Sequence, residues 1–370
     1  MPQYKPELVT AIPRRDFLQR AGLSTIALLG SPALLTACAS DTPEATPTTT
    51  PAPTTTPATG VRGPVDISVG FWPALVTSAV WALAKEDDIY REYGIILGET
   101  VASVGGGTGV RNIVTGGIPI GSQAPAATMN AYNAGAPLSI VAGSVATTAD
   151  VNFIALPGAG ITSIEDLPGR SVGYSASGSV THMLLVLCLE AAGIDVAEVE
   201  MVELGGTNSH VAVRDGLVDV AWDSLPRFLM QADEDEFMEV FNTAEFVNMQ
   251  ELVLVAGSPI VEQEPELIDG IVSVYRDASQ RIFEDPQRGA DAWAANSDVP
   301  PEVALEAIEI VNAFDPPYFG TALNAERLNY AVRGLQLTGM LSPEAEIDWE
   351  GLVDQRFLLE EERLDIAELL

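Results

Sequence analysis

The segment Tyr174 to His182, YSASGSVTH, gathers four serine and threonine hydroxyls where a following apolar run marks the start of a helix. Backbone N–H groups in a first helical turn lack intrahelical partners, and the positive end of the helix dipole lies there, so the turn attracts an anionic or polar oxygen. Ser177, Gly178, Ser179 and Val180 therefore form a candidate oxyanion cradle that uses neither metal nor lysine. A plain N-cap role for Ser177 or Ser179 fits the same residues. The sequence GYSASG is one residue off G-x-S-x-G, which would make Ser175 the nucleophile of a membrane-anchored esterase. A hydrolase of that kind carries its histidine after the acid, and none follows His210. The two histidines, His182 and His210, belong to no HxxxH or His/Cys cluster, so no metal is expected. The glycine run SVGGGTGV, 103–110, has no GKS/T ending and lacks the third glycine of the dinucleotide pattern, so no nucleotide cofactor is expected either.

The elements that must hold these residues follow from periodicity. VDISVGFWP, from Val65, alternates as a strand and ends in a turn at Phe71 and Trp72; the next segment has helical spacing and closes on Gly94. IILGETVAS, IPIGSQ and PLSIVAGSV are further strands, separated by short helices. The alternation restarts at VNFIALPG and runs through EVEMVEL, VDVAW and ELVLVAG, and from about residue 262 the pattern is mostly helical. Strands alternating with helices predict an α/β fold of two lobes, each a mainly parallel sheet flanked by helices. No repeat of 20 to 50 residues is present, which argues against a solenoid or propeller.

The chain begins differently. Arg14 and Arg15 precede an apolar run of small residues that stops at Leu35-Thr36-Ala37-Cys38. The run is broken by Ser24, Gly30, Ser31 and Pro32 and reads as an export signal, not a span. The arginine pair resembles a twin-arginine signal, and LTAC resembles the bacterial lipobox, in which the cysteine is acylated after cleavage. Residues 1–37 are thus expected to be a signal peptide. Residues 38–64, mostly Thr, Pro and Ala, have little to bury and form a mobile tether. Cys188 sits in an apolar helical pattern and reads as a core residue; with Cys38 acylated, no disulfide can form. The net charge of −34 becomes −36 once residues 1–37, with four basic and two acidic side chains, are removed. Such a surface excludes nucleic acid as a partner. It suits solubility or saline surroundings, and attraction of cations is the functional alternative.

The order SVGFWP, GGIPIGSQAPA, NAGAPLSIVAG, SIEDLPGRSVGYSASGSVTHMLL, VRDGLVDVAWDSLPRF and LQLTGMLSPEAEIDWEGLVDQRFL resembles the substrate-binding proteins of nitrate, sulfonate and taurine ABC transporters and their thiamine-pyrimidine-precursor-binding relatives. The resemblance covers roughly residues 65 to 360. It implies a type II periplasmic-binding-protein-like fold with a hinge between lobes: 65–150 with 255–370 as one lobe, 151–254 as the other. It further implies one small polar solute in the interlobe cleft, no catalysis, no cofactor, and an ABC permease and its ATPase as partners, with the protein lipid-anchored outside the cytoplasm.

Ligands of open α/β sheets sit beyond the carboxyl ends of the strands. Phe71 and Trp72 there would stack on a planar solute, or pack into the core, Trp72 more readily. Ser122 and Gln123 match the family's turn after the third strand, where their hydroxyl and amide would face the cleft or cap the next helix. Asp223 matches the family position that faces the cleft after a buried strand; an acid there suits a solute bearing N–H donors and disfavours bare nitrate. Arg227 is either its partner or a solvated surface residue. A ligand sensor without transport on the same fold is the third reading, because fold does not fix function.

Overall fold

The computed structural model describes residues 62–206, 209–232 and 237–369. Arg14, Arg15 and Cys38, with the whole export signal and nearly all of the tether, lie outside them. The first strand, β1 (Arg62–Gly70), starts three residues ahead of the expected Val65. Its helix α1 (Ala79–Glu86) buries Ala79 through Ala84, including Trp81. β2 (Ile95–Ser103), α2 (Gly106–Thr115), β3 (Ile120–Gln123), α3 (Pro125–Asn133) and β4 (Leu138–Val145) follow. Every residue of β4 is buried, which explains why its sequence is mostly apolar, with Ser139 and Ser144 the exceptions, and does not alternate.

The chain then crosses to a second sheet. β5 (Val151–Ala155), β6 (Ser171–Tyr174), α4 (Val180–Ala192), β7 (Glu200–Glu203), α5 (Ser209–Arg214), β8 (Val220–Ser224), α6 (Arg227–Ala232) and β9 (Met238–Asn242) form that half. Nothing in the sequence pattern announces β9, a short strand of mixed exposure at the sheet edge. The chain returns through residues 243–251 to β10 (Leu252–Gly257).

Two five-stranded sheets result, ordered β2-β1-β3-β10-β4 and β7-β6-β8-β5-β9. The pairs β1/β2, β1/β3, β6/β7 and β6/β8 are parallel, whereas β10 and β5 run antiparallel to both their neighbours. The reversal is a consequence of the crossings: the strand that enters each sheet from the other lobe arrives from the opposite end. Each sheet is thus completed by a strand reached through a crossing, so the two segments 146–150 and 243–251 connect the lobes.

Helices α7 (Pro265–Glu284), α8 (Pro286–Ala294), α9 (Pro301–Asn312) and α10 (Ala325–Leu337) complete the C-terminal region. α7 sets Tyr275 against Trp81 of α1, with ring centroids 4.9 Å apart. α10 leans on the second lobe, where a Cβ on Gly334 would lie 3.0 Å from that of Met183 on α4, and Arg333 pairs with Glu190. Cys188 is a buried free thiol whose burial pushes its pKa up, a core residue and not a reactive one. Among the described residues no helix is long and apolar enough to cross a membrane.

Candidate functional site

The segments that follow β1, β7 and β8 meet between the lobes. Val76 N–H, just after the β1 turn, donates to Leu225 C=O, just after β8, at 3.1 Å. Phe71 takes a left-handed backbone, φ 52°, uncommon for a bulky residue. Its ring reaches the other lobe, where Cε1 lies 3.3 Å from the point that a Cβ on Gly206 would occupy. The glycine lets the two lobes approach at that point. Trp72 is half-buried and packs on the core. Beside this contact lies a groove of about 510 Å³ lined from one side by Pro73, Ala74 and residues 295–299, and from the other by Pro226, Arg227 and Met230.

Ser122 and Gln123 lie at the carboxyl end of β3, both buried. Ser122 Oγ is 2.7 Å from Ser144 Oγ. Gln123 Nε2 is 3.5 Å from Ser68 O and Ser68 Oγ, with the amide pressed against Gly109. Their polar atoms are used within the first lobe, and the N-cap of α3 is Ala124, which offers no side-chain cap.

The turn between β6 and α4 is organised by its own side chains. Ser179 is the N-cap of α4, accepting from His182 N–H at 3.2 Å. Ser175 Oγ lies 2.9 Å from Ser179 Oγ and 2.7 Å from Thr181 Oγ1, so its hydroxyl is held by hydroxyls and not by a base. Gly178, at φ 72°, donates its N–H to His182 Nδ1 at 3.0 Å, and Ser177 N–H donates to Glu203 Oε2 at 3.1 Å. Two of the amides that sequence reasoning left open are therefore occupied, one of them by a carboxylate from β7. His182 stacks on Tyr174 at 4.4 Å, and burial lowers its pKa while nearby Glu203 opposes that shift.

Asp223, in β8, has no solvent exposure. The expected position facing the cleft is not exposed in this conformation, because α5 and α6 close over it. His210 Nε2 of α5 stands 2.9 Å from Asp223 Oδ2, and Arg227 Nε of α6 stands 3.3 Å from Oδ1. These are ion-pair distances with poor hydrogen-bond angles: His210 Nε2, Asp223 Oδ2 and Arg227 Nε make no aligned hydrogen bond. Ser224 N–H donates to Oδ1 at 2.8 Å. Arg227 also lies over the Trp222 ring, 4.7 Å to its centroid, and Nη1 donates to Gly206 C=O at 3.4 Å. Arg227 is thus the partner of Asp223 and lines the interlobe groove. The role of His210 escaped sequence reasoning, because two residues 13 positions apart in sequence meet only once α5 folds back on β8.

A family model described as NMT1/THI5 like matches residues 77–289, more than half of the chain. No curated protein matches the sequence. Among solved structures, the periplasmic aliphatic sulphonate-binding protein SsuA from Escherichia coli is 19% identical with a TM-score of 0.66, over 82% of this chain and 95% of that one. The alkanesulfonate-binding protein SsuA from Xanthomonas axonopodis pv. citri, bound to MOPS, is 17% identical with a TM-score of 0.66, over 80% and 99%. The periplasmic nitrate-binding protein NrtA from Synechocystis PCC 6803 is 14% identical with a TM-score of 0.64, over 79% and 86%. At these identities the likeness establishes the periplasmic-binding-protein fold.

Proposed function

This chain belongs to the NMT1/THI5-like family, and from that premise we propose that it is the solute-binding component of an ABC importer and not an enzyme. It captures one small polar organic molecule between a lobe of 65–150 with 255–370 and a lobe of 151–254. The twin-arginine signal at Arg14 and Arg15 exports it, and a lipid on Cys38 holds it at the outer face of the membrane, where it delivers the solute to a permease driven by an ATPase. Trp72 and Phe71 supply flat apolar contact from one side; the turn Ser177–Val180 and Arg227, held by Asp223 beneath it, supply polar contact from the other.

One observation carries the choice of solute: the Ser177 amide, an obvious donor for an oxyanion, already holds the Glu203 carboxylate. A bare nitrate would have to displace that carboxylate and lie near it. A planar solute bearing N–H donors meets the Glu203 carboxylate as an acceptor there instead. A thermal-shift screen of nitrate, taurine, alkanesulfonates, aminopyrimidines and other amino compounds tests this, since a ligand that binds only the folded state raises its midpoint. A rise with N–H-bearing planar compounds is expected; a rise with nitrate alone would reverse the assignment.

A further inference from the structure

The turn between β6 and α4 is held by a side chain that can gain a proton. Gly178 N–H donates to His182 Nδ1 at 3.0 Å. That nitrogen must be bare to accept, so the imidazole in this arrangement is neutral and carries its proton on Nε2. Three contacts fix the ring and the glycine against each other. The ring stacks on Tyr174, with the two planes 17° apart. His182 N–H is tied to the Ser179 cap at 3.2 Å. On another side of Gly178, Met340 Cγ and Sδ lie 3.2 Å from the point that a Cβ would occupy.

Protonation removes the acceptor. An imidazolium donates from both nitrogens, so its Nδ1–H would face Gly178 N–H, donor against donor, and the bond must break. Gly178 cannot yield towards Met340, and it joins two residues that are themselves bonded: Ser177 N–H holds Glu203 at 3.1 Å, and Ser179 caps α4. A displaced Gly178 therefore disturbs the whole turn. The charged groups on the elements packed against α4 are Glu203 of β7, Glu326, Arg327 and Arg333 of α10, and the acids Glu165, Asp166, Glu198 and Glu245 of three short turns. Arg333 is taken by Glu190, about two turns further along α4. Among the described residues, Glu203 is the one of these that acts on the imidazole; burial lowers the pKa of His182, and Glu203 opposes it.

We propose that His182 is a positioning residue of the solute turn: as the neutral imidazole it holds Gly178 and with it the shape of Ser177–Val180, and on taking up a proton it releases them. Its bearing on solute rests on the proposed assignment of that turn to the solute site. The sign follows from linkage. Solute meets the ordered turn in its neutral-His182 form, so binding and protonation exclude each other. Affinity is full above the His182 pKa and falls as pH drops through it, up to tenfold per pH unit for a single proton.

The ligand-free protein, isotopically labelled at nitrogen, tests the positioning by itself, whereas the solute screen tests the assignment of the site. The chain has two histidines, so His182→Gln identifies the imidazole signals of this one. Nuclear magnetic resonance at neutral pH should show its Nδ1 bare and its Nε2 protonated. On acidification the ring should take up a proton with a midpoint below the ordinary 6.5, and the Gly178 and Ser177 amide resonances should move with that same midpoint. In His182→Gln neither amide should titrate there. Glu203→Gln, which removes the neighbouring acid, should leave Gly178 following the imidazole. A protonated Nδ1 at neutral pH, or a wild-type Gly178 amide that stays still while the ring titrates, overturns the proposal.

Discussion

Replacing Asp223 by alanine is expected to destabilise the ligand-free protein, because the acid is fully enclosed by β8, α5 and α6. Removing one partner of a buried ion pair costs about 3 to 5 kcal/mol, since the other charge is left unpaired. Arg227 keeps 23% of its side-chain surface exposed and retains the Trp222 face and the Gly206 carbonyl. Its residual charge is therefore partly solvated, which places the loss nearer about 2 kcal/mol than the full range. For a body of this size, each kcal/mol moves the melting temperature by about 2 to 4 °C, so a fall of roughly 4 to 8 °C is expected. Asp223→Asn preserves an oxygen for the Ser224 N–H and should lose about half as much. Differential scanning calorimetry of the two variants beside wild type reads these shifts. A melting temperature for Asp223→Ala within about 1 °C of wild type would mean that the enclosure of Asp223 contributes nothing, and the reasoning from burial would fall with it.

Other consequences are as direct. Gly206→Leu places a side chain where the Phe71 ring already sits at contact distance, so it should prop the lobes apart and weaken solute binding at least tenfold, about 1.4 kcal/mol, with a melting temperature close to wild type; calorimetric titration and melting of the same preparation check both halves. His182 has a lowered pKa, so the folded state binds fewer protons than the unfolded one; stability present above the ordinary value of 6.5 should decline as pH falls below it. Urea midpoints across that range should decline less for His182→Gln, which cannot take up the proton. Cys38→Ser should abolish incorporation of labelled fatty acid and release the protein from the membrane fraction; continued labelling would remove the lipobox reading.

The strands that carry the site were legible because their burial leaves plain marks: β1 alternates and is followed by a turn and a helix at 3.6-residue spacing, and β4 is buried along its whole length and mostly apolar. β9 was not, since a five-residue edge strand of mixed exposure has no distinctive period. The start of α4 was visible in its serines, and Ser179 does cap it. Which amides remain open was not visible, because Glu203 arrives from another strand. Asp223 could be singled out by its position after a buried strand, whereas its enclosure depends on His210 and Arg227 from separate helices.

The central claim is that one solute is gripped from both lobes at once. Calorimetric titration of the compound that raises the melting midpoint tests it directly, comparing wild type with Trp72→Ala on the first lobe and Arg227→Ala on the second. The account predicts one solute per chain and at least tenfold weaker binding, about 1.4 kcal/mol, for each variant. Affinity unchanged by either substitution would contradict it, because the solute would then lie on one lobe or outside the cleft.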